Sequence, residues 1–72
     1  MKRYMIHEQS IQGDAHSNWL AVGGPHKEAQ PALDEALALR REYEKDADAG
    51  RLKGRRRIRV SLMEVLVDYE VG

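Results

Sequence analysis

Gly50-Arg51-Leu52-Lys53-Gly54-Arg55-Arg56-Arg57-Ile58-Arg59-Val60-Ser61-Leu62-Met63-Glu64-Val65-Leu66-Val67-Asp68-Tyr69 is the stretch on which the fold turns, because a basic segment runs without interruption into an apolar one. From Arg55 onward apolar residues recur at every second position, the pattern of a strand with one buried face. They do so in two phases: Ile58, Val60 and Leu62, then Met63, Val65, Val67 and Tyr69. The shift at Leu62-Met63 would send the second set to the opposite face unless a β-bulge absorbs one residue, so a bulge or bend is expected there. Taken as one strand, residues 55–69 span about 50 Å, against roughly 33 Å for a first strand over 3–12. Part of the last strand is then expected to lack a neighbour within the chain and to offer its edge to a partner.

Working outward, residues 3–12 hold the β formers Tyr4, Ile6 and Ile11 and stop at Gly13-Asp14, with a turn over 13–16. A second strand over 17–22 carries Trp19, Leu20, Ala21 and Val22 and ends at Gly23-Gly24-Pro25. The run is too short for alternation to say whether Trp19 or Leu20 points inward; the larger ring is favoured. From Lys27 to Asp48, Ala29, Ala32, Leu33, Ala36, Leu39, Tyr43 and Ala47 recur at spacings of three and four, the stripe of an amphipathic helix. Pro31 belongs in its first turn, where a missing N–H costs nothing, and Gly50 ends it. Asp34 and Glu35 near its start and Arg40, Arg41 and Lys45 later partly suit the macrodipole, which Asp46 and Asp48 oppose.

Chain direction then predicts an α+β fold of ββαβ type in one domain, residues 1–72: strand 3–12, strand 17–22, helix 27–48, strand 55–69. The last strand lies antiparallel beside the first, giving a three-stranded antiparallel sheet of order 2-1-3 with the helix on one face. Tyr4 is expected to approach Tyr69 across the first and last strands. The other face stays open, with Tyr4 and Leu66 as candidate members of a dimer or partner surface.

A chain of 72 residues buries only roughly 60% of the surface exposed on unfolding. It has no cysteine, so neither disulfides nor thiolate metal sites can staple it, and a reducing, cytoplasmic setting is favoured. Homodimer formation is the expected way to enlarge its core. No apolar run approaches the ~18 residues of a membrane helix and the N-terminus does not read as a signal peptide, so no membrane partner is expected.

Net charge is zero, but nine of twelve basic residues lie within 40–59 against four acids, whereas 60–72 carries three acids alone. Arg51, Lys53, Arg55, Arg56, Arg57 and Arg59, with Tyr69, are therefore the candidate partner-binding residues. Three readings compete. Phosphate contact would use the arginines directly, although aromatic interleaving, a recognition helix and zinc spacing are missing and the isoelectric point is near 6.8. Alternatively the arginines guard a strand and pair with Glu42, Glu44, Asp46 and Asp48 of the preceding helix, or they meet an acidic protein.

His7, His16 and His26 lie nine and ten residues apart, spacings that match no compact metal motif, and read as surface histidines. Ser10, Ser17 and Ser61 lack a nucleophile-elbow context. Gly23-Gly24-Pro25 is a strand-to-helix turn and not a phosphate loop, since proline removes an N–H where donors are needed. No cofactor, metal or catalytic residue is expected, and the chain is not expected to be an enzyme.

Trp19-Leu20-Ala21-Val22-Gly23-Gly24, the alanine-rich helix with Leu37-Ala38-Leu39-Arg40-Arg41, and the ending Val65-Leu66-Val67-Asp68-Tyr69-Glu70 resemble, in pattern and over most of the chain, small accessory proteins of bacteriophages and mobile elements. The resemblance implies a non-enzymatic protein that acts in the host cytoplasm by occupying, and so inhibiting or modulating, a host protein such as a defence or nucleic-acid-handling protein. It carries over no functional residue. The arginine run departs from the pattern and keeps a nucleic-acid-binding accessory role as the alternative.

Overall fold

The computed structural model describes residues 3–61 and 65–72, with 65–68 described by backbone alone. Its elements in chain order are β1 (Tyr4–Gln12), β2 (Ala15–His16), β3 (Leu20–His26), α1 (Ala29–Asp48), β4 (Arg55–Ser61) and β5 (Val65–Val71). The fold is α+β: a five-stranded antiparallel sheet with a single helix among the described residues. β1 is central. Along one side it pairs with β4 from Met5↔Ser61 to Ile11↔Arg55. Its other side is shared by β3, from Tyr4↔His26 to Glu8↔Leu20, and the short β2, at Ile11↔His16 and Gln12↔Ala15. β5 adds to β4 at the far edge.

The expected single strand over 55–69 is instead a hairpin, and this corrects both the strand count and the overhang. Chain direction reverses between Ser61 and Val65, the place where the apolar phase changes. The reversal sets Ile58 opposite Tyr69 and Val60 opposite Val67 in register, and Ile58 and Tyr69 both pack on the helix side. A phase change is thus as much the mark of a hairpin as of a bulge. The Leu62-Met63 bulge falls outside the described residues, although the β4–β5 register does shift between Val60 and Ser61. β4 is zipped on both sides, and among the described residues the sheet's edges are β5 on one side and β2 with β3 on the other. The order 2-1-3 survives as β3-β1-β4, extended by β2 and β5. Because β4 intervenes, Tyr4 does not pair across to Tyr69; both pack on the helix-side core, and Tyr4 is not on the open face.

The second strand also differs. Residues 15–16 pair with β1, and β3 starts at Leu20 and runs through Gly23-Gly24-Pro25 to His26, with a cis Gly24–Pro25 peptide. Proline is tolerated because, among the described residues, β3 pairs with β1 alone.

The helix follows its stripe. Ala32 and Ala36 have no exposed surface, and their small side chains let α1 settle onto Ile6, Ile58 and Val60, with Tyr4, Leu33, Leu39, Tyr43 and Tyr69 around them. Pro31 is the third helical residue, inside the first turn as expected, and that turn holds no acid. At the other end Gly50 N–H donates to Ala47 O and Arg51 N–H to Asp46 O, a Schellman closure that uses Gly50 at φ +72°. Gly54, at φ +73°, opens β4: a Cβ there would stand 2.2 Å from the Ile11 carbonyl oxygen, so glycine alone lets β4 come alongside β1. No helix among the described residues is long and apolar enough to cross a membrane.

Candidate functional site

Strand pleating divides the arginine run between the two faces of the sheet. Ile58 and Val60 point to α1, so Arg56 shares their side, while Arg55, Arg57 and Arg59 project from the opposite, uncovered face. Register places their neighbours. His16, Ile11 and Arg55 form one transverse row; Gln9, Arg57 and Glu70 form the next; Ala21, His7, Arg59 and Asp68 form a third.

Trp19, just before β3, belongs to this face. Its ring meets the Arg59 guanidinium at 4.2 Å and that of Arg57 at 5.5 Å, close enough for cation–π attraction of about 0.5–1 kcal/mol each. The segment carrying it is pinned to β1: Ser17 N–H donates to Ser10 O at 2.9 Å and Ser10 N–H to Ser17 Oγ at 2.9 Å. The Gln9 amide also donates to Ser17 O at 3.0 Å. Gln9 is only 9% exposed, and its Oε1 has no hydrogen-bond partner among the described residues. Trp19 as a core residue is therefore corrected. The helix side of β1 is already filled by alanines and aliphatics, and the indole finds its contacts on guanidiniums across the sheet.

Beside the tryptophan lies a shallow cavity of about 470 Å³ lined by Ile11, His16, Arg55, Arg57 and Glu70. Arg55 Nη1 is ion-paired with Glu70 Oε1 at 2.9 Å. Ile11 forms an apolar wall, with 2% exposure.

The remaining candidate residues scatter. Arg51 pairs with Asp46 at 3.2 Å. Lys53 is exposed. Arg56 donates to Lys53 O and Arg55 O and lies 5.7 Å from the Tyr43 ring centre. Tyr69 is half-buried on the helix side, under the Arg40 guanidinium at 4.7 Å. Of the expected helix acids, Asp46 pairs with Arg51 of the run, whereas Glu44 pairs with Arg40 and Glu42 with Lys45. Sequence reasoning missed Trp19, Gln9, His16 and Glu70 as members of the face. Reading β4 at period two would have separated Arg56 from Arg55, Arg57 and Arg59, but the position of Trp19 depends on register alone.

The helix side holds two polar contacts. Tyr43 hydroxyl donates to the Glu8 carboxylate, and burial, followed by that bond and the Glu8 charge, pushes its pKa up to about 12 against a lowering by Arg56. His26 Nε2 meets the Glu35 carboxylate, so this histidine is not simply solvated. A second hollow, about 290 Å³ between β3 and α1, is rimmed by Glu35 and Glu42 beside Val22 and Leu39. Among the described residues no three His, Asp or Glu gather as metal ligands.

Among the described residues, the face opposite α1 thus brings Arg55, Arg57 and Arg59 together with one indole, the Glu70 carboxylate and an adjoining polar hollow. Comparison with protein-family models, curated proteins and solved structures finds no match.

Proposed function

We propose that the chain is a small non-enzymatic binding protein of the phage-accessory class, which inhibits or redirects a host protein by covering an acidic patch on it with the sheet face opposite α1. One observation carries the reading: Arg55, Arg57 and Arg59 emerge together on that face, with Trp19 laid across the last two. Tryptophan and arginine are the side chains most often found as interface anchors, because each combines a large contact area with directed polar groups. Among the described residues β5 pairs with β4 alone, and its outer edge supports a homodimer built by strand addition.

Nucleic-acid binding stands second, favoured by the same guanidiniums. Glu70 within the arginine row weighs against it, since it would face a continuous phosphate chain.

Capture from bacterial lysate, with and without nuclease, tests the two. Protein docking predicts a captured species that survives nuclease and is lost when Arg57→Glu and Arg59→Glu are combined in a chain that remains folded by circular dichroism. Loss on nuclease treatment, with steep salt dependence, would replace this reading with the second.

A further inference from the structure

The edge of β3 lies on the side of the sheet away from β5. Among the described residues β3 pairs with β1 alone, so its outward N–H and C=O groups meet no second strand. Leu20 sits opposite Glu8, whose carboxylate meets Tyr43 of α1, and Val22 stands beside Ala38 and Leu39, so both face the helix. They are nevertheless 58% and 42% exposed. Next to Val22 is the hollow of about 290 Å³ between β3 and α1, floored by the buried Ile6. Its helix wall runs Glu35, Ala38, Leu39, Glu42, an aliphatic step bracketed by two carboxylates about 10 Å apart along the axis. Each acid has a partner, His26 for Glu35 and, at 3.9 Å, Lys45 for Glu42, and both are open to water. The rim therefore selects charge, while the apolar floor and the bare backbone carry affinity. A Cβ on Gly23 would collide with the Glu35 carboxylate, so glycine lets that acid lie down over the strand beside the groove.

We propose that the groove between β3 and α1 receives an extended segment of a partner protein, added as a further strand along Leu20–Val22. An aliphatic residue of that segment fills the hollow, and a lysine or arginine two positions to either side of it meets the rim acids. In strand addition to an open edge, main-chain bonds supply affinity and pockets read alternate side chains. Residues two apart on a strand share a face and lie about 7 Å apart, within reach of Glu35 and Glu42 for a long cationic side chain. The register shift at Val22 and Pro25 beyond it keep the edge from pairing along its length, so the added strand is short. A second copy of the chain fits less well. Neither edge strand, Leu20–His26 or Val65–Val71, contains a lysine or arginine to bring to the two carboxylates. The groove lies across the sheet from Arg55, Arg57 and Arg59, and its occupation does not depend on theirs.

Fluorescence anisotropy of a labelled, end-blocked peptide in which threonine alternates with lysine, leucine and lysine tests this at physiological ionic strength. Wild type binds it, and peptides with both lysines replaced by glutamate, or leucine replaced by serine, bind about tenfold more weakly. Val22→Thr, a change of similar shape at an exposed position, weakens binding about fivefold, and Glu42→Gln about twofold. Glu44→Gln removes the same charge from the side of α1 that carries Arg40 and leaves affinity unchanged. N-methylation of one alternate set of peptide amides abolishes binding and of the other set does not, because only one set points at β3. Tolerance of both methylated sets, or equal binding of the glutamate peptide, overturns the proposal. Tighter binding of a peptide copying residues 17–26 also overturns it and gives the edge to a second copy. Lysate capture that depends on Arg57 and Arg59 persists in Val22→Thr; its loss would merge the two surfaces and remove the separate groove.

Discussion

The two faces of β4 are made from alternate residues of one seven-residue strand, yet they do different work. Toward α1, Ile58 and Val60 have no exposed surface and lie against Ala32, Ala36 and Ile6. Away from it, Arg55 is ion-paired with Glu70, and Arg57 and Arg59 lie against the Trp19 indole. Fully burying an aliphatic side chain contributes roughly 1.5–3 kcal/mol, several times a partly exposed cation–π contact. The helix face therefore carries the larger share of the stability, so substitutions one position apart on β4 should differ in kind.

The largest effect is expected at Ile58. Ile58→Ala leaves a cavity beneath α1 and should cost about 2–5 kcal/mol, against a total near 4–11 kcal/mol for a chain this long at roughly 0.05–0.15 kcal/mol per residue. Arg57→Gln, its neighbour, should cost no more than about 1 kcal/mol, the scale of its contact with the Trp19 ring, while weakening partner capture. Urea unfolding of both variants checks the contrast, and equal losses would show that the arginine face is also structural.

The helix face was the more legible of the two. Ala32, Ala36 and Tyr43 repeat at helical spacing, and Pro31 and Gly50 mark the ends, because helical periodicity and capping are local properties of the chain. The open face is set by register between strands distant in sequence: Arg57 acquires Gln9 and Glu70 as neighbours only once β1 and β5 dock on β4. The same limit explains the single long strand expected over 55–69, since a phase change at Leu62-Met63 does not by itself distinguish a bulge from a reversal. Trp19 was expected inside on size alone. Neutral guanidinium-free surroundings would have drawn it there, but three arginines on the uncovered side of β4 supply a second environment that hydropathy does not score.

A smaller effect is expected from the polar contact within the helix side. Tyr43 has its pKa raised from 10.0 to about 12, first by burial and then by its bond to Glu8. The folded state thus keeps a proton that the unfolded chain releases from pH ~10 upward. By linkage this contribution is complete below pH ~10 and is lost as pH climbs toward 12. Urea midpoints across that interval should fall more steeply in wild type than in Tyr43→Phe, and phenolate absorbance should show one late-titrating tyrosine that the variant lacks. Parallel pH profiles would mean that the Tyr43–Glu8 contact is not maintained in solution, and that polar groups on the covered face are no better fixed than those on the open one.

The smallest effect bears most directly on the open face. If Trp19 is held there by guanidiniums and not merely by the backbone bonds of Ser17, then Trp19→Ala and Arg59→Ala must be non-additive. The Arg59 contact at 4.2 Å is the closer of the two, so the double-mutant cycle should give a coupling of about 0.5–1 kcal/mol. Arg56→Ala paired with Trp19→Ala should give none, because pleating puts Arg56 on the other side of the sheet, beside Tyr43. Salt gives a second handle: a cation–π contact at a half-exposed ring weakens with ionic strength far less than the Arg55–Glu70 ion pair, whose carboxylate is a full charge. Coupling to Arg59 and not to Arg56 would fix the register that places the indole on the face opposite α1. Equal coupling to both would mean that the ring reaches past the sheet edge, and that the two faces of β4 are not separate environments after all.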